Sequence, residues 1–586
     1  MKKQSVIRLF SLLSTGLIIG MIASSCVGVK EITSKIEQEN KNRPVTKPTP
    51  DPIPEPKPEV PNDNSGTQAL LNKARTELDA KLNSKETNVS AYNDYSVIKT
   101  ELEAAYNSSE MIKNNNEATV DQLEQAKNSL EQAITKAQND KTDFDSSHMR
   151  LVSTYNGLKT VLESKESNLS SLNDPKYAGL KSVLENKYAV ADGIITNTLQ
   201  ASDLTEQTIN VAKSDIENAT QNLNQKKENA ESYYDFKKFS ITDSTQNFIG
   251  TFAKSATNTG NNYSTAFNSD ETVTDNWKIA SKRIEHFNLQ QSKAITDVAW
   301  IYNLSTDSNA SASYDVNFEY YNGTTATLYF PYKKRKSSDD LGLLYKLNTG
   351  QNMDISSIIS NATIDDIKVA KISLTNLKFG QNKISFSLPQ NKQNPIIGNI
   401  YISSTNSEES ENKVIDSIFG NERNDSNSNS VTVNFVKGYG LSNKPIMLVT
   451  KKNGKLDQEN TSKDYYLVGW LGGKEGSGEL VRTVRYYTFY VNVNQRGVYD
   501  ITGIYNTTVQ RTLMFWVDNF NNSSKKAKFK DLNSGWNLKT FNNSNKDNTI
   551  PTSLELEKGL NKIVVSGDET GSEGPNLGNV TFTLRQ

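Results

Sequence analysis

Apolar residues in the first half of the chain recur three, four and seven positions apart, whereas after residue 270 they alternate with polar residues in short runs. The first spacing places apolar side chains on one face of a helix, and the second is typical of half-buried strands. Tyr487 to Val493 is one such alternating run. The pattern predicts a chain that is helical first and then built from β-strands.

The helical half contains an internal repeat. The motif Leu-Asn-Ser-Lys-Glu that starts at Leu82 returns as Leu-Glu-Ser-Lys-Glu at Leu162. The matched residues that follow include these pairs: Tyr95 and Tyr177, Leu102 and Leu184, Tyr106 and Tyr188, Ala126 and Ala212. We predict two three-helix units, 67–145 and 146–235, with Thr119 to Gln122 as a capped helix start. We interpret the units as a stalk; the alternative is that their helices bind a partner.

The second half also repeats. Ser313 to Tyr320 is similar to Val498 to Tyr505, Gly-Gln-Asn-Lys-Ile at Gly380 returns as Gly-Leu-Asn-Lys-Ile at Gly559, and Pro-Ile-Ile-Gly-Asn-Ile at Pro395 returns as Pro-Asn-Leu-Gly-Asn-Val at Pro575. Short strands at this spacing predict tandem β-sandwiches. We place them at 236–411 and 412–586, divided near the polar stretch 403–412.

The N-terminus has the features of an exported lipoprotein. A basic start is followed by the apolar run Leu9 to Ala23, and Ser24-Ser25 precede Cys26, the only cysteine of 586 residues. We predict a signal peptide over 1–25, a diacylglycerol on Cys26 and a lipid-anchored protein on the outer face of the cell membrane. The alternatives are a cleaved signal with an incidental cysteine, or a short membrane anchor.

A proline-rich segment follows the predicted anchor. Pro44 to Pro61 has eight prolines in eighteen residues, a composition that favours the extended polyproline form. We interpret 26–66, the lipidated cysteine and this segment, as a spacer that holds the body away from the membrane. A proline-rich ligand for a signalling domain is the alternative.

The charge balance and the residue types of the chain argue against several classes of function. The 66 basic and 67 acidic residues nearly cancel, which argues against a nucleic-acid partner. The chain has two histidines, His148 and His286, neither in a recognisable catalytic setting, and we find no phosphate loop and no zinc spacing. We therefore expect no enzyme activity, no metal and no cofactor other than the diacylglycerol, although counting carboxylates does not exclude a glycosidase.

The second sandwich resembles carbohydrate-binding modules of families 6 and 35, which are galactose-binding-like jelly rolls. The resemblance lies in Tyr465 to Gly472, Tyr487 to Tyr505, Leu532 to Asn537 and Gly559 to Leu584. It implies a sugar held between two aromatic rings and fixed by an asparagine, which correspond here to Trp470, Trp536 and Asn576. The chemistry is sound by itself, since sugar C–H groups pack on aromatic faces and an amide both donates and accepts.

Two departures from those modules are visible. The acidic residue often found two positions after the asparagine is Gly578 here, which puts in doubt a metal site that depends on it. In the first sandwich the asparagine position is Ile396, so that copy is a scaffold or has a different ligand.

Each candidate residue also has a structural interpretation. Trp470, among glycines, is either core or site, Trp536 follows Ser-Gly in a polar loop that favours exposure, and Asn576 caps a turn after Pro575 if it does not bind sugar. Trp516 lies inside a predicted strand and is expected in the core.

The whole chain resembles the variable lipoprotein haemagglutinins of mycoplasmas. The resemblance includes the signal and lipid cysteine, Ala91 to Tyr95, Tyr329 to Tyr332, Ile397 to Ser404 and Asp416 to Asn421. It implies a phase-variable surface adhesin, used in immune evasion, that agglutinates erythrocytes. We therefore expect an adhesin that binds host cell-surface glycans; the alternative is a protein-binding or decoy surface lipoprotein whose sugar cleft is vestigial.

Overall fold

A computed structural model describes residues 64–254, 256–258, 267–269, 277–286, 294–306, 311–424, 427–444, 449–456, 459–475 and 483–586. The predicted signal peptide, Cys26 and most of the proline-rich spacer lie outside these residues. The chain divides into two compact units, Met1–Lys73 and Ala74–Gln586. Within the described residues, no helix has the length and apolar character required to cross a membrane.

The first half of the described chain is helical, as predicted. A single 3₁₀ turn, Pro175–Tyr177, interrupts the α-helices. Those helices are α1 (Asn64–Leu82), α2 (Lys85–Ser90), α3 (Ser96–Asn114), α4 (Val120–Ser147), α5 (Met149–Leu162), α6 (Lys165–Ser170), α7 (Ala178–Asn197), α8 (Glu206–Thr220) and α9 (Leu223–Ser232).

A buried tyrosine and an asparagine recur at matching places in the helical half. Tyr106 on α3 and Tyr188 on α7 are both fully buried. Asn88 Nδ2 donates to the Tyr106 hydroxyl at 2.7 Å, and Asn168 Nδ2 donates to the Tyr188 hydroxyl at 2.9 Å. In both places a buried hydroxyl is paired with a side chain of the preceding short helix, which lowers the cost of burying it.

The predicted start of α4 is confirmed. Thr119 Oγ1 accepts from Gln122 N at 3.2 Å, and Gln122 Oε1 accepts from Thr119 N at 2.9 Å. This reciprocal pair satisfies two backbone donors that the first turn of a helix leaves unpaired.

The first sandwich packs two sheets over one apolar core. One sheet has the order β2-β6-β11-β8-β9, and the other runs β1-β13-β7-β12-β5-β4, with β10 on β7 and β3 on β4. Phe318 of the first sheet and Phe330 of the second lie in the same core cluster. The strands are β1 (Lys237–Phe239), β2 (Phe248–Gly250), β3 (Ala256–Asn258), β4 (Trp277–His286), β5 (Ala294–Ile301), β6 (Ala312–Tyr320), β7 (Ala326–Lys333), β8 (Leu344–Leu347), β9 (Met353–Asp354), β10 (Lys368–Leu374), β11 (Gly380–Ser387), β12 (Ile396–Ile397) and β13 (Ile400–Ser403).

The second sandwich has the same construction. The sheet β16-β21-β27-β23-β24 faces the sheet β17-β18-β28-β15-β14, in which β22 pairs with β25, β26 and β28. Phe489 and Phe582 come from opposite sheets and share one core. The strands are β14 (Asn421–Asn424), β15 (Asn427–Val433), β16 (Leu441–Ser442), β17 (Val449–Gly454), β18 (Lys463–Val468), β19 (Lys474–Glu475), β20 (Thr483–Val484), β21 (Tyr487–Val493), β22 (Gly497–Asn506), β23 (Arg511–Val517), β24 (Lys526–Leu532), β25 (Leu538–Phe541), β26 (Ser553–Leu556), β27 (Gly559–Ser566) and β28 (Asn576–Leu584).

The topology changes one of the repeat correspondences. Strand β6 pairs with β11 as β21 pairs with β27, and β7 pairs with β12 and β13 as β22 pairs with β28. The similarity of Ser313–Tyr320 to Val498–Tyr505 therefore joins strands from opposite sheets, and that correspondence is wrong. Both strands alternate tyrosine with other residues to fill a half-buried face, so sequence similarity alone does not distinguish them.

The match of Gly380 with Gly559 is confirmed in atomic detail. Asn382 Nδ2 donates to the carbonyls of Lys378 and Gly380, and Asn561 Nδ2 donates to those of Glu557 and Gly559. Each asparagine closes the turn that enters its strand.

A helix joins the sandwiches, and we did not predict it. Helix α10 (Glu408–Phe419) spans the predicted boundary at 411 and 412. Its signals are present in the sequence: Ser407 accepts from Ser410 N at 3.1 Å as the N-cap, three glutamates lie in the first turn, and Gly420 ends it with φ 66°. The domain boundaries stay predictions.

The sandwiches are joined by backbone pairing and by a buried cluster. Strand β4 of the first pairs in parallel with β17 of the second at Glu285–Thr450 and His286–Lys451. Tyr439 donates to the Ala299 carbonyl at 2.7 Å and accepts from Asn399 N at 2.8 Å. The pairing of β4 with β17 makes one continuous sheet through both sandwiches, and the Tyr439 hydroxyl adds hydrogen bonds across the junction.

Candidate functional site

The structure brings Trp470, Trp536 and Asn576 to one cleft at the end of the second sandwich. The cleft has a volume of about 230 Å³ and is open to solvent on one side. Its lining residues come from five loops and from the ends of strands: Thr450, Gly469, Trp470, Leu471, Arg485, Asn506, Thr507, Thr508, Arg511, Trp536, Glu573, Gly574, Pro575 and Asn576.

The three candidates are placed by the ends of β-strands. Trp470 follows the end of β18 by two residues, Trp536 lies in the loop between β24 and β25, and Asn576 begins β28. Asn576 is the register partner of Asn506, the last residue of β22. Residues far apart in sequence therefore meet because their strands end at the same edge.

The tryptophans of the chain differ in exposure. Trp300 and Trp516 are fully buried, whereas the side chains of Trp470 and Trp536 are 53% and 45% exposed. The prediction that Trp516 belongs to the core is confirmed. Two half-exposed indoles beside a concave surface are unusual, because large aromatic side chains are normally buried on folding.

Both cleft tryptophans have left-handed backbone conformations. Trp470 has φ 62° and Trp536 has φ 71°, and in the described chain they are the only aromatic residues with positive φ. Such a conformation costs a bulky residue on the order of 1–3 kcal/mol and persists only where surrounding contacts impose it. Folding stability is therefore reduced at the two residues whose rings are exposed at the cleft.

Arg485 holds Trp470. Its Nε donates to the carbonyl of Trp470 at 3.0 Å and to that of Gly472 at 2.8 Å. The guanidinium carbon lies 5.8 Å from the centroid of the Trp470 ring, within cation–π range.

Trp536 is held in a comparable way. The backbone N–H of Trp536 donates to the Thr507 carbonyl at 2.7 Å. The backbone carbonyl of Trp536 accepts from Asn506 Nδ2 at 2.5 Å and from Lys452 Nζ. The Lys452 ammonium also lies 4.7 Å from the centroid of the Trp536 ring. Burial lowers the pKa of Lys452 because the charged form loses solvation.

Asn576 is tied to the Trp536 loop through Asn506. Asn576 Nδ2 donates to Asn506 Oδ1 at 3.3 Å, and the fully buried Asn506 donates to the carbonyls of Trp536 and Asn537. Asn576 is half-buried at the cleft, so its amide is within reach of a ligand.

The sequence reasoning missed the charged residues of the cleft. Arg511 and Glu573 line it and form an ion pair, and Arg485 is almost fully buried behind Trp470. Glu573 precedes Gly574-Pro575-Asn576 in the loop that we singled out, which was the one available signal for it. Arg485 and Lys452 carry no local motif, because their role depends on strand packing.

Gly578, which stands where the modules often have an acidic residue, lies close to neighbouring side chains. A Cβ there would lie 3.0 Å from Ile504 Cβ and 3.1 Å from Leu467 Cδ2, so a side chain at this position requires both neighbours to move by a few tenths of an ångström. Among the described residues, no group of three or more His, Cys, Asp or Glu side chains is arranged to hold a metal.

The equivalent place in the first sandwich has different residues. Lys333 of β7 is the backbone register partner of Ile396 of β12, just as Asn506 of β22 is the register partner of Asn576 of β28. Ile396 is buried in the cluster between the sandwiches, and burial lowers the pKa of Lys333 to about 7. Neither residue offers an exposed amide, so this position in the first sandwich lacks the donor and acceptor that the cleft of the second has.

Comparison with family models gives two matches. A model described as Mycoplasma haemagglutinin matches residues 207–357 and 356–585, and one described as FIVAR domain matches residues 74–138 and 154–224. No curated protein matches the chain.

Several solved structures are similar to parts of the chain. A family 35 carbohydrate-binding module from Clostridium thermocellum is 21% identical, covering 20% of this chain and 78% of that one at a TM-score of 0.15. The family 35 module of Abf62 from Cellvibrio japonicus is 11% identical, covering 20% and 85% at 0.14. The tandem family 22 modules of Xyn10C from Paenibacillus barcinonensis are 8% identical, covering 60% and 96% at 0.18.

Proposed function

Because this chain belongs to the Mycoplasma haemagglutinin family, we propose that it is a surface lipoprotein adhesin that binds host cell-surface glycans through the cleft of its second sandwich. In this proposal Cys26 carries the lipid anchor, Trp470 and Trp536 contact the sugar rings, and Asn576 contacts sugar hydroxyls. The family also supports a role as a phase-variable surface antigen.

One observation carries the proposal. Three residues chosen from sequence as sugar contacts, spread over more than a hundred positions, line one open cleft. A pyranose has a face of C–H groups that packs on an indole, and hydroxyls that require placed donors and acceptors. Two half-exposed indoles and a half-buried amide offer both kinds of contact in one place.

The charges in the cleft favour binding over catalysis. Among the described residues that line the cleft, Glu573 is the single carboxylate, and it is paired with Arg511. Hydrolysis of a glycosidic bond usually needs two carboxylates about 5–10 Å apart on either side of the bond. The described lining, with one ion-paired carboxylate, does not supply such a pair.

The expected affinity is low, and attachment then depends on many copies. A sugar in a shallow cleft contributes about 4–6 kcal/mol, which corresponds to millimolar to tens of micromolar dissociation constants. Joining weak sites on one surface raises avidity by ~10²–10⁴. The proposed anchor at Cys26 would supply that surface density.

A glycan array tests the proposal. We expect soluble 27–586 to bind sialylated or galactose-bearing glycans and Trp536→Ala to weaken binding at least tenfold, because the ring supplies most of the apolar contact. The matched control is Tyr234→Ala, an exposed aromatic residue outside the cleft lining.

Two results together would contradict the glycan proposal. These are a blank array for the wild-type protein and undiminished adhesion to deglycosylated cells. They would favour the decoy or protein-binding interpretation, in which the cleft is vestigial.

A further inference from the structure

The two tryptophans of the cleft share an arrangement that recurs nowhere else in the described chain. Each is an aromatic residue in the left-handed region, and each has a cation that contacts both its backbone carbonyl and its ring. The other non-glycine residues with positive φ are asparagines, aspartates and one threonine. Short polar residues tolerate this conformation, whereas an aromatic residue needs contacts that impose it.

We infer that Lys452 and Arg485 are positioning residues that hold Trp536 and Trp470 ready for a ligand. The inference rests on the proposed function for its effect on glycan binding, but the contacts that carry it are within the protein.

The position of Lys452 supports this role. It lies on β17, two residues after the cleft residue Thr450, so both side chains are on the same face of the strand. Its ammonium reaches the carbonyl and the ring face of one residue, Trp536. One side chain therefore restrains both the backbone and the indole of a residue that has an unfavourable φ.

Strand β17 is itself fixed on both edges. It pairs with β18 along Val449–Gly454, and with β4 of the first sandwich at Thr450 and Lys451. Because β17 is paired on both edges, the backbone from which the Lys452 side chain extends is held in place. The first sandwich thus contributes to the geometry of the cleft without a residue in its lining.

Positioning changes affinity through the entropy of the free protein. A ring that is already in place loses little conformational freedom when a ligand binds, and a ring that samples several positions loses more. Removing the ammonium should therefore weaken binding without removing a ligand contact.

Lys452→Met is the direct test, because it keeps most of the stem and removes the charge. With 5-fluorotryptophan in the full chain, we expect the ¹⁹F resonance of Trp536 to shift or broaden in ligand-free Lys452→Met, and Lys452→Arg to restore it. For a glycan identified on the array, we expect the dissociation constant to rise about five- to tenfold and Lys452→Arg to recover most of it.

The neighbouring lysine provides the control. Lys451 faces the opposite side of the same strand and pairs with Asp464 at 2.6 Å, so Lys451→Met removes a charge from β17 without touching Trp536. We expect it to leave the Trp536 resonance and the dissociation constant unchanged.

Two outcomes would overturn the inference. One is a Trp536 resonance in Lys452→Met that is identical to wild type. The other is an equal change in Lys451→Met, which would indicate a general disturbance of the strand. A wild-type protein that binds no glycan would refute the proposed function instead, and the ligand-free spectra would still decide whether Lys452 positions Trp536.

Discussion

At the scale of single residues, the cleft contains two tryptophans with strained backbones that are held by hydrogen bonds. Trp470 and Trp536 adopt costly backbone conformations, and Arg485, Lys452 and Asn506 donate to their carbonyls. The resemblance to carbohydrate-binding modules identified Trp470 and Trp536, and the polar loop around Trp536 favoured its exposure. It did not find Asn506, Arg485 or Lys452, because a buried donor has no local sequence pattern.

Asn576 gives a prediction at this scale. Asn576→Ala removes a donor and an acceptor from the cleft while the strand pairing of β28 remains, so we expect glycan affinity to fall about tenfold, or ~1.4 kcal/mol. The free energy of unfolding should also fall, by about 1–3 kcal/mol at most, since the buried Asn506 Oδ1 loses the donor Asn576 Nδ2.

Asn519→Ala, an exposed asparagine outside the lining, serves as its control. Titration calorimetry and a thermal melt measure the two effects. Equal affinity of Asn576→Ala and wild type would mean that Asn576 only caps a turn.

At the scale of elements, the spacing of apolar residues and the local capping motif predicted the helices and strands better than similarity between the internal repeats predicted strand equivalence. The change from helices to strands and the capped start of α4 follow from apolar spacing and a local motif, and both are confirmed. Strand pairing depends on contacts distant in sequence, so the match of β6 with β22 was wrong. Helix α10 was missed although its caps are visible, because the surrounding strands dominated the pattern.

The turn asparagines give a prediction for elements. Asn561 is nearly buried and makes three hydrogen bonds to the backbone of the turn before β27, so Asn561→Ala should lower the free energy of unfolding by about 1–3 kcal/mol. Asn382→Ala should have a similar effect in the first sandwich, where the same bonds recur.

Differential scanning calorimetry is suited to this comparison, because each sandwich has its own core. A melting temperature equal to wild type in both variants would show that the bonds contribute nothing net.

At the scale of the whole molecule, the two sandwiches act as one body through β4, β17 and a buried lysine. Lys282 of β4 is 3% exposed, and its Nζ donates to the carbonyls of Phe435 and Gly438 in the second sandwich. Burial lowers the pKa of Lys282 to about 7. No local pattern in the sequence marks this residue, because its setting is produced by the junction.

The lowered pKa makes stability depend on pH. Between pH 7 and the ordinary lysine pKa of 10.5, the unfolded chain binds a proton that the folded protein has released, so stability rises with pH. The rise is about 1 kcal/mol per pH unit for each such lysine. Below pH 7 both states are protonated and this contribution is constant.

We therefore expect the melting temperature to increase from pH 7 to pH 9. Lys282→Met should reduce the slope, and Lys333, whose pKa burial also lowers to about 7, should account for part of what remains. Lys451→Met, which removes a partly exposed and ion-paired lysine, should keep the wild-type slope. A slope that Lys282→Met leaves unchanged would contradict this account of the junction.

The central claim is that the cleft between Trp470 and Trp536 binds sugar, and ¹⁹F NMR of the 5-fluorotryptophan protein during glycan titration tests it most directly. We predict that the resonances of Trp470 and Trp536 move together with one dissociation constant, while those of the buried Trp300 and Trp516 stay in place. Saturable glycan binding that leaves both cleft resonances unmoved would contradict the claim.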